Sequence, residues 1–206
     1  MNFEDFAAIA SSAMRHELVN AIFVVRAYFQ MGKSKEEIEL AFEKIDTLMN
    51  LWKNMEGFGS MSFWQSLRSL LIMLQMENKE SVEIKIEIQD VKIKTNTLFV
   101  FILRNLIENT IRYSGKEKPI ISISSREEQG FLVIFYRDNG VGISKEDKKR
   151  IFNRGYGKNT GLGMFFCSQI IAAMGGNIIE TGVPGEGICI EIRIPEDIYK
   201  ISNSDL

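Results

Sequence analysis

The sequence predicts an α+β fold in which an N-terminal helical hairpin precedes an α/β sandwich. Apolar residues recur at helical spacing through the first 57 residues, and period-two strands alternate with helices after that point. Apolar residues make up 45% of the chain and charged residues 25%, as in an ordinary globular protein. The net charge of -2 gives no general attraction to nucleic acid or to anionic lipid.

Residues 1–57 predict two amphipathic helices. Gly32 stops the first helix, and Ser34 with Glu37 forms a capping box that starts the second. Because two such helices cannot close a core alone, we expect a homodimer built on a four-helix bundle. Gly57 and Gly59 mark the hinge to a second domain, residues 58–206. The two apolar stripes are Phe3, Phe6, Ala10, Ala13, Ala21, Val24 and Tyr28, then Ile38, Ala41, Ile45, Leu48, Trp52 and Met55.

The second domain predicts an antiparallel or mixed sheet. Its strands follow one another mostly as hairpins, which favours helices on one face of the sheet and argues against a Rossmann fold. The predicted helices are Phe63–Met76, capped by Ser62, then Thr97–Tyr113 and Leu162–Met174. The predicted strands are Val82–Ile88, Ile121–Ser125, Phe131–Arg137, Ile178–Thr181 and Ile188–Ile194, with a polar segment at Ile143–Thr160.

The chain shows no signal for export or membrane insertion. Asn2, Glu4 and Asp5 break the basic-then-apolar order of a signal peptide. Uncharged apolar runs such as Ala21–Val25 are far shorter than the roughly 20 residues that span a bilayer. We therefore expect a cytoplasmic protein without a membrane span.

Two asparagines lie one helical turn apart in the segment LRNLIENTIRYS. Asparagine is a poor helix former, so Asn105 and Asn109 inside a helix suggest a purpose. An amide oxygen is a neutral, hard ligand that suits a magnesium ion already carrying phosphate. A pair of solvent-facing polar residues explains the same pattern equally well.

Two glycine-containing segments flank the polar stretch. Asp138 and the DNGVG motif follow a strand, where an ordinary turn is the simpler interpretation. Alternatively, Asp138 accepts a hydrogen bond from an adenine amino group. The segment Thr160–Gly163 opens an apolar helix, where free backbone N–H groups could bind an anion. It lacks the spacing of a P-loop, and a GxG motif alone is a weak signal.

His16 is the only histidine of the chain and lies on the first predicted helix. A lone helical histidine is usually an ordinary surface or core residue. Imidazole is nevertheless a good nucleophile near neutral pH. Glu17 beside it could take its proton, and Asn20 one turn on could hold a water molecule.

Taken in order, these segments resemble the sensor histidine kinases of two-component signalling, whose ATP-binding domain has the Bergerat (GHKL) fold. RHELVN resembles the H-box of that family, in its HExxN form, and NLIENTIRYS resembles the N-box. DNGVG, IFNRGYGKN and TGLGMF resemble the G1, F and G2 boxes, and GEGICIEIRIP resembles the final hairpin. The resemblance spans the chain from about Asp5 to Pro195.

The resemblance implies an ATP·Mg²⁺ site. Asn109 would ligate Mg²⁺, Asp138 would bind the adenine amino group, and residues 143–160 would form a lid over the nucleotide. Arg154 and Lys158 of the lid would contact phosphates, which would also meet the helix start at residues 160–163. The full set of expected nucleotide contacts is Asn105, Asn109, Arg112, Tyr113, Asp138, Gly140, Gly142, Arg154, Lys158, Thr160, Gly161, Leu162 and Gly163.

The resemblance also implies a phosphotransfer role. His16 would be phosphorylated from ATP, with Glu17 as its acid/base neighbour, and the phosphoryl group would pass to an aspartate of a response-regulator receiver domain. Asn20 would position water for the reverse dephosphorylation of that receiver. The expected partners are a second copy of the chain and the receiver, with a separate sensor protein as a source of input if the chain is not itself a fragment of a longer sensor.

Two departures from the family pattern are expected to matter. Ala21 stands where the commoner H-box has a proline, so the first helix should be straighter. Ile188 stands where the closing hairpin often has a threonine, which removes a hydroxyl near Asp138 and could weaken ATP binding. The alternatives are a phosphotransfer scaffold that does not use ATP and a GHKL serine kinase or ATPase, a class that lacks the histidine-bearing hairpin.

Overall fold

The computed structural model describes residues 18–56, 63–95, 97–157 and 161–201. Helix α1 covers 18–30, and helix α2 follows at Lys35–Glu56 after a turn in which Gly32 has a φ of +62°. The capping box is confirmed, because Ser34 Oγ accepts from the Glu37 N–H at 3.3 Å and Glu37 Oε2 accepts from the Ser34 N–H at 3.1 Å. His16, Glu17, Lys158 and Thr160 lie outside the described residues.

A five-stranded mixed sheet forms the centre of residues 63–201, as predicted. Its strand order is β2-β4-β5-β7-β6, in which β2 and β4 run parallel and all other neighbours run antiparallel. Helix α2 packs against α4, and α4 packs against α5. The elements are β2 (Glu83–Glu87), α4 (Thr97–Tyr113), β4 (Ile120–Glu128), β5 (Phe131–Asp138), α5 (Gly163–Ala173), β6 (Asn177–Glu180) and β7 (Cys189–Pro195).

Successive side chains of each strand point to opposite faces of this sheet, and one of the two sets lies in the main core with the helices. The helices therefore cover one face of the sheet. On β5, Leu132, Ile134 and Tyr136 join the helical core, whereas Val133 and Phe135 belong to a small cluster on the opposite face. The predicted arrangement of helices on one face is therefore confirmed. It places the C-terminal end of α4 beside the C-terminal end of β5, where Thr110 contacts Asp138.

A second, three-stranded sheet was not predicted. It has the order β1-β3-β8 and consists of Phe63–Ser66, Val91–Thr95 and Tyr199–Ile201, all antiparallel. The signal for β3 is present in the sequence, since buried Val91 and Ile93 alternate with exposed Lys92 and Lys94. Strand β8 has no comparable signal, because its three residues form a strand only through pairing with β3.

The prediction of a helix from Phe63 was wrong at its start. Residues Phe63–Ser66 pair with β3, and helix α3 covers Leu67–Asn78. The N-cap of α3 is Ser66, whose hydroxyl accepts from the Ser69 N–H at 3.2 Å. The aromatic residues Phe63 and Trp64 lie in strand β1, and both are exposed.

Replacing the cap should destabilise the protein measurably. Ser66→Ala leaves the Ser69 N–H without its side-chain partner, so we expect the free energy of unfolding to fall by about 1 kcal/mol. Urea denaturation followed by circular dichroism measures the change. Ser69→Ala is the matched control, because it keeps the backbone N–H and should change stability little. Equal losses in both variants would contradict the assignment of the cap.

Candidate functional site

An open cavity of about 1080 Å³ lies where α4, the end of β5 and the start of α5 meet. The loop between β6 and β7 closes one side of it, and Glu43 and Asp46 of α2 reach its mouth. The cavity brings together residues that the sequence motifs place far apart along the chain. These predicted residues line it: Asn105, Asn109, Arg112, Tyr113, Asp138, Gly140, Gly142, Gly161 and Gly163.

The two asparagines of α4 are joined by a hydrogen bond that fixes their orientation. Asn109 Nδ2 donates to Asn105 Oδ1 at 3.2 Å, and the Cys167 thiol lies 3.7 Å from the same oxygen. Burial raises the pKa of the Cys167 thiol, which therefore stays protonated and able to donate. Because Asn109 Nδ2 is used in this bond, Oδ1 of Asn109 is the atom left for a cation. An amide oxygen in this position fits Mg²⁺.

Gly163 allows helix α5 to start against the Asn105 side chain. A Cβ atom on Gly163 would overlap the amide group of Asn105, so any larger residue would displace it. Gly161 is similarly close to the backbone of Gly155, and the Gly155 N–H donates to the Gly161 carbonyl at 3.0 Å. The two glycines therefore bring a helix N-terminus, with its free N–H groups, directly to the asparagine pair.

Asp138 is held by three hydrogen-bond donors from three parts of the fold. Its Oδ1 accepts from the backbone N–H of Gly140 at 2.9 Å and of Ile188 at 3.0 Å. Its Oδ2 accepts from the hydroxyl of Thr110 on α4 at 2.7 Å. Residue 188 is an isoleucine, so the threonine hydroxyl expected near Asp138 is absent there. Asp138 receives a hydroxyl from Thr110 instead, while Ile188 contributes its backbone N–H.

The loop between β6 and β7 is part of the site, although the sequence suggested only a turn there. A Cβ on Gly187 would overlap the Asp138 carbonyl, and this close approach lets the following N–H, that of Ile188, reach the carboxylate. Gly142 packs onto the same loop with a φ of +70°, and a Cβ there would lie 2.9 Å from the Gly187 carbonyl oxygen. Glycine at these positions is required by contact between two backbones.

Residues 143–157, which we call the lid after their expected role, are anchored at one point by an ion pair whose carboxylate is buried. The Lys148 ammonium lies 2.7 Å from Glu180 Oε2 and also donates to the Gly182 carbonyl. The Glu180 side chain is fully buried, and its Oε1 accepts from the backbone N–H groups of Gly182 at 2.8 Å and Cys189 at 3.1 Å. The first part of the lid is therefore fixed to the β6–β7 loop, which also supports Asp138.

The other predicted residues are placed differently. Arg154 is exposed on the lid and does not line the cavity. The side chain of Leu162 is buried in the core, so only its backbone can meet a ligand. Arg112 lies 3.8 Å from Glu43 of α2, an exposed pair of little energetic weight. Asn20 is exposed on α1.

Sequence reasoning missed Thr110, Tyr136, Lys148 and Glu180. Thr110 is 1% exposed, which is unusual for a hydroxyl-bearing residue at the polar end of a helix. Its helical spacing from the apolar Leu103, Leu106 and Ile107 was a usable signal, since that spacing places it on the buried face of the helix. Lys148 and Glu180 are 32 positions apart in the chain, and no local sequence pattern predicts that they form an ion pair.

Comparison with known proteins identifies the class. Residues 94–198, half of the chain, match the family described as histidine kinase-, DNA gyrase B- and HSP90-like ATPases, so the chain belongs to that family. Its relatives include a sensor histidine kinase, of which this chain spans only a small part. The sensor histidine kinase WalK of Bacillus subtilis is 32% identical over 114 residues, which are 50% of this chain and 18% of WalK.

Solved structures support the fold. Histidine kinase AdeS of Acinetobacter baumannii has a TM-score of 0.61 at 19% identity, covering 88% of this chain and 98% of that one. Histidine kinase ThkA, solved in complex with the response regulator protein TrrA, has a TM-score of 0.59 at 18% identity, with coverages of 90% and 60%. At these identities the likeness concerns the fold alone.

Within residues 18–56, 63–95, 97–157 and 161–201, no group of three His, Cys, Asp or Glu side chains could hold a metal ion. None of the helices in the same ranges is both long and apolar enough to cross a membrane.

The structural role of the Lys148–Glu180 ion pair can be tested directly by substitution. Lys148→Met leaves the buried Glu180 carboxylate without its cation, so we expect the free energy of unfolding to fall by roughly 3 kcal/mol. The matched control is Lys149→Met, because Lys149 is exposed and its loss should change stability by less than about 0.5 kcal/mol. Guanidinium denaturation measures both. Equal stability of the two variants would show that Lys148 does not anchor the lid.

Proposed function

We propose that this protein is an ATP-dependent protein-histidine kinase that phosphorylates His16 and passes the phosphoryl group to an aspartate of a response regulator. The observation that carries the proposal is the convergence of Asn109, Asp138 and the start of α5 on one cavity. The Asp138 carboxylate, which can accept a hydrogen bond, lies at one end of that cavity. The Asn109 side-chain oxygen, which can ligate a cation, and the N–H groups at the start of α5 lie at the other end. That polarity matches a nucleotide with a base at one end and phosphates at the other.

The nucleotide binds with adenine at Asp138 and the phosphates at the asparagine end. Asn109 Oδ1 holds Mg²⁺, because its amide nitrogen is engaged by Asn105. Mg²⁺ supplies charge neutralisation on the phosphate oxygens when bound. The N–H groups at the start of α5 bind phosphate oxygens, and Arg112 exchanges its contact with Glu43 for a phosphate.

The transfer step is a nucleophilic displacement at the γ-phosphorus of ATP. One ring nitrogen of neutral His16 attacks with its lone pair and forms the P–N bond, while the bond from phosphorus to the β,γ-bridging oxygen breaks and ADP leaves with those electrons. The proton on the other ring nitrogen passes to Glu17. Little covalent chemistry is asked of the ATP-binding domain, since positioning and charge stabilisation carry phosphoryl transfer.

Residues 1–57 form the dimerisation and phosphoacceptor unit, and residues 58–206 form the ATP-binding unit. The described helices of the first unit expose many large apolar side chains, which water disfavours and a second copy would cover. This supports a homodimer with a four-helix bundle. The exposed apolar residues are Val19, Ile22, Phe23, Val24, Phe29, Leu40, Phe42 and Met49.

A receiver domain is the proposed acceptor of the phosphoryl group. The complex of ThkA with the response regulator TrrA supports this kind of partner. Asn20, exposed on α1 and four positions after His16 in the sequence, would hold the water that hydrolyses the receiver's acyl phosphate. The matched segment covers only 18% of WalK, so the activity of the whole protein belongs to this proposal.

Autophosphorylation tests the proposal. Purified protein incubated with γ-labelled ATP and Mg²⁺ should acquire acid-labile, base-stable label, as expected for phosphohistidine. His16→Gln should abolish the label, because it is the acceptor, and Glu17→Gln should slow labelling by about 100-fold through loss of the proton acceptor.

Nucleotide binding serves as the control for these variants. His16→Gln should bind ATP with the affinity of the unaltered protein, which shows that its cavity is intact. Label that survives in His16→Gln would overturn the acceptor assignment. ATP binding without label in the unaltered protein would overturn the kinase activity itself.

A further inference from the structure

The side chains behind Asp138 form a chain of hydrogen bonds that leads into the core. Thr110 Oγ1 lies 2.7 Å from Asp138 Oδ2 and 2.8 Å from the Tyr136 hydroxyl. The Tyr136 hydroxyl also lies 3.0 Å from the carbonyl oxygen of Leu106 on α4. Thr110 and Tyr136 are each only 1% exposed, so water cannot take the place of these contacts.

These three contacts share two hydroxyl protons. The Thr110 hydroxyl donates to Asp138 Oδ2. The single proton of the Tyr136 hydroxyl is donated to the Leu106 carbonyl oxygen, and it is the only proton that Thr110 Oγ1 could share as an acceptor. Burial raises the pKa of Tyr136 well above its usual value, and Tyr136 therefore remains a donor.

This arrangement leaves Asp138 with one acceptor position. A carboxylate has about four lone-pair sites, and the N–H groups of Gly140 and Ile188 and the hydroxyl of Thr110 occupy three of them. The remaining site belongs to Oδ2, since Oδ1 already accepts two bonds. A ligand placed against Oδ2 must therefore present an N–H donor, and a ligand carbonyl there would face an anion.

We propose that Thr110, held by Tyr136, is a positioning residue that aims the single free acceptor of Asp138 and thereby makes the cavity select 6-amino purines over 6-oxo purines. This inference rests on the proposed binding of adenine at Asp138. Without the Thr110 hydroxyl, Oδ2 has no protein donor, and the carboxylate can turn and present a second acceptor position. The preference for an amino group then falls.

The test compares ATP with inosine triphosphate, which carries a 6-oxo group and otherwise has the same sugar and phosphates. Equilibrium Kd values are measured by isothermal titration calorimetry for the unaltered protein and for Thr110→Val, which keeps the shape of the side chain and loses its hydroxyl. We expect the unaltered protein to prefer ATP. In Thr110→Val the Kd for ATP should rise about tenfold with little change for inosine triphosphate, because a hydrogen bond to a charged group is lost.

Three further variants separate this role from a structural one. Thr110→Ser keeps the hydroxyl and should restore the preference for ATP, and Thr110→Ala should behave as Thr110→Val does if the valine variant folds poorly. Ser69→Ala is the control, because it also removes a side-chain hydroxyl, and Ser69 is exposed on α3 and does not line the cavity. It should leave both Kd values unchanged.

The outcomes distinguish the inference from the function on which it rests. Equal rises of both Kd values in the variants without the hydroxyl, or no change in either, would overturn the role of Thr110. Unaltered protein that binds inosine triphosphate as tightly as ATP would overturn it as well. Asp138→Asn tests the underlying orientation, since unchanged ATP affinity in that variant would remove adenine from Asp138 altogether.

Discussion

The site depends first on the way in which the Asp138 carboxylate is held. Its three donors come from the loop after β5, from the loop between β6 and β7 and from α4, so one side chain ties together three parts of the chain. A partly buried carboxylate is costly unless donors satisfy it. Here the same bonds that offset that cost also aim the group into the cavity, so local stability and ligand recognition share one set of contacts.

The opposite end of the cavity depends on close packing of α4 against α5. Gly163 permits the start of α5 to touch Asn105, and Asn105 in turn holds the amide of Asn109 in one orientation. Lys148 fixes the lid to Glu180, beside the loop that supports Asp138.

The sequence predicted the parts that local patterns encode. Helix Thr97–Tyr113, the β4–β5 hairpin and the residues Asn105, Asn109 and Asp138 follow from periodicity and from motif order. The helix predicted from Phe63 failed because pairing with β3 overrides an apolar run that has no turn residue. Thr110 and the Lys148–Glu180 pair were missed because their meaning arises only from tertiary contacts with residues far along the chain.

The central claim is that one nucleotide lies across the cavity, with its base at Asp138 and its phosphates and cation at Asn109. Calorimetric titration of ATP with and without Mg²⁺, in the unaltered protein and in Asn109→Ala, tests it most directly. The account predicts tighter binding with Mg²⁺ in the unaltered protein and loss of that dependence in Asn109→Ala, with adenosine binding retained. Asn109→Ala that keeps the full Mg²⁺ dependence would contradict the account.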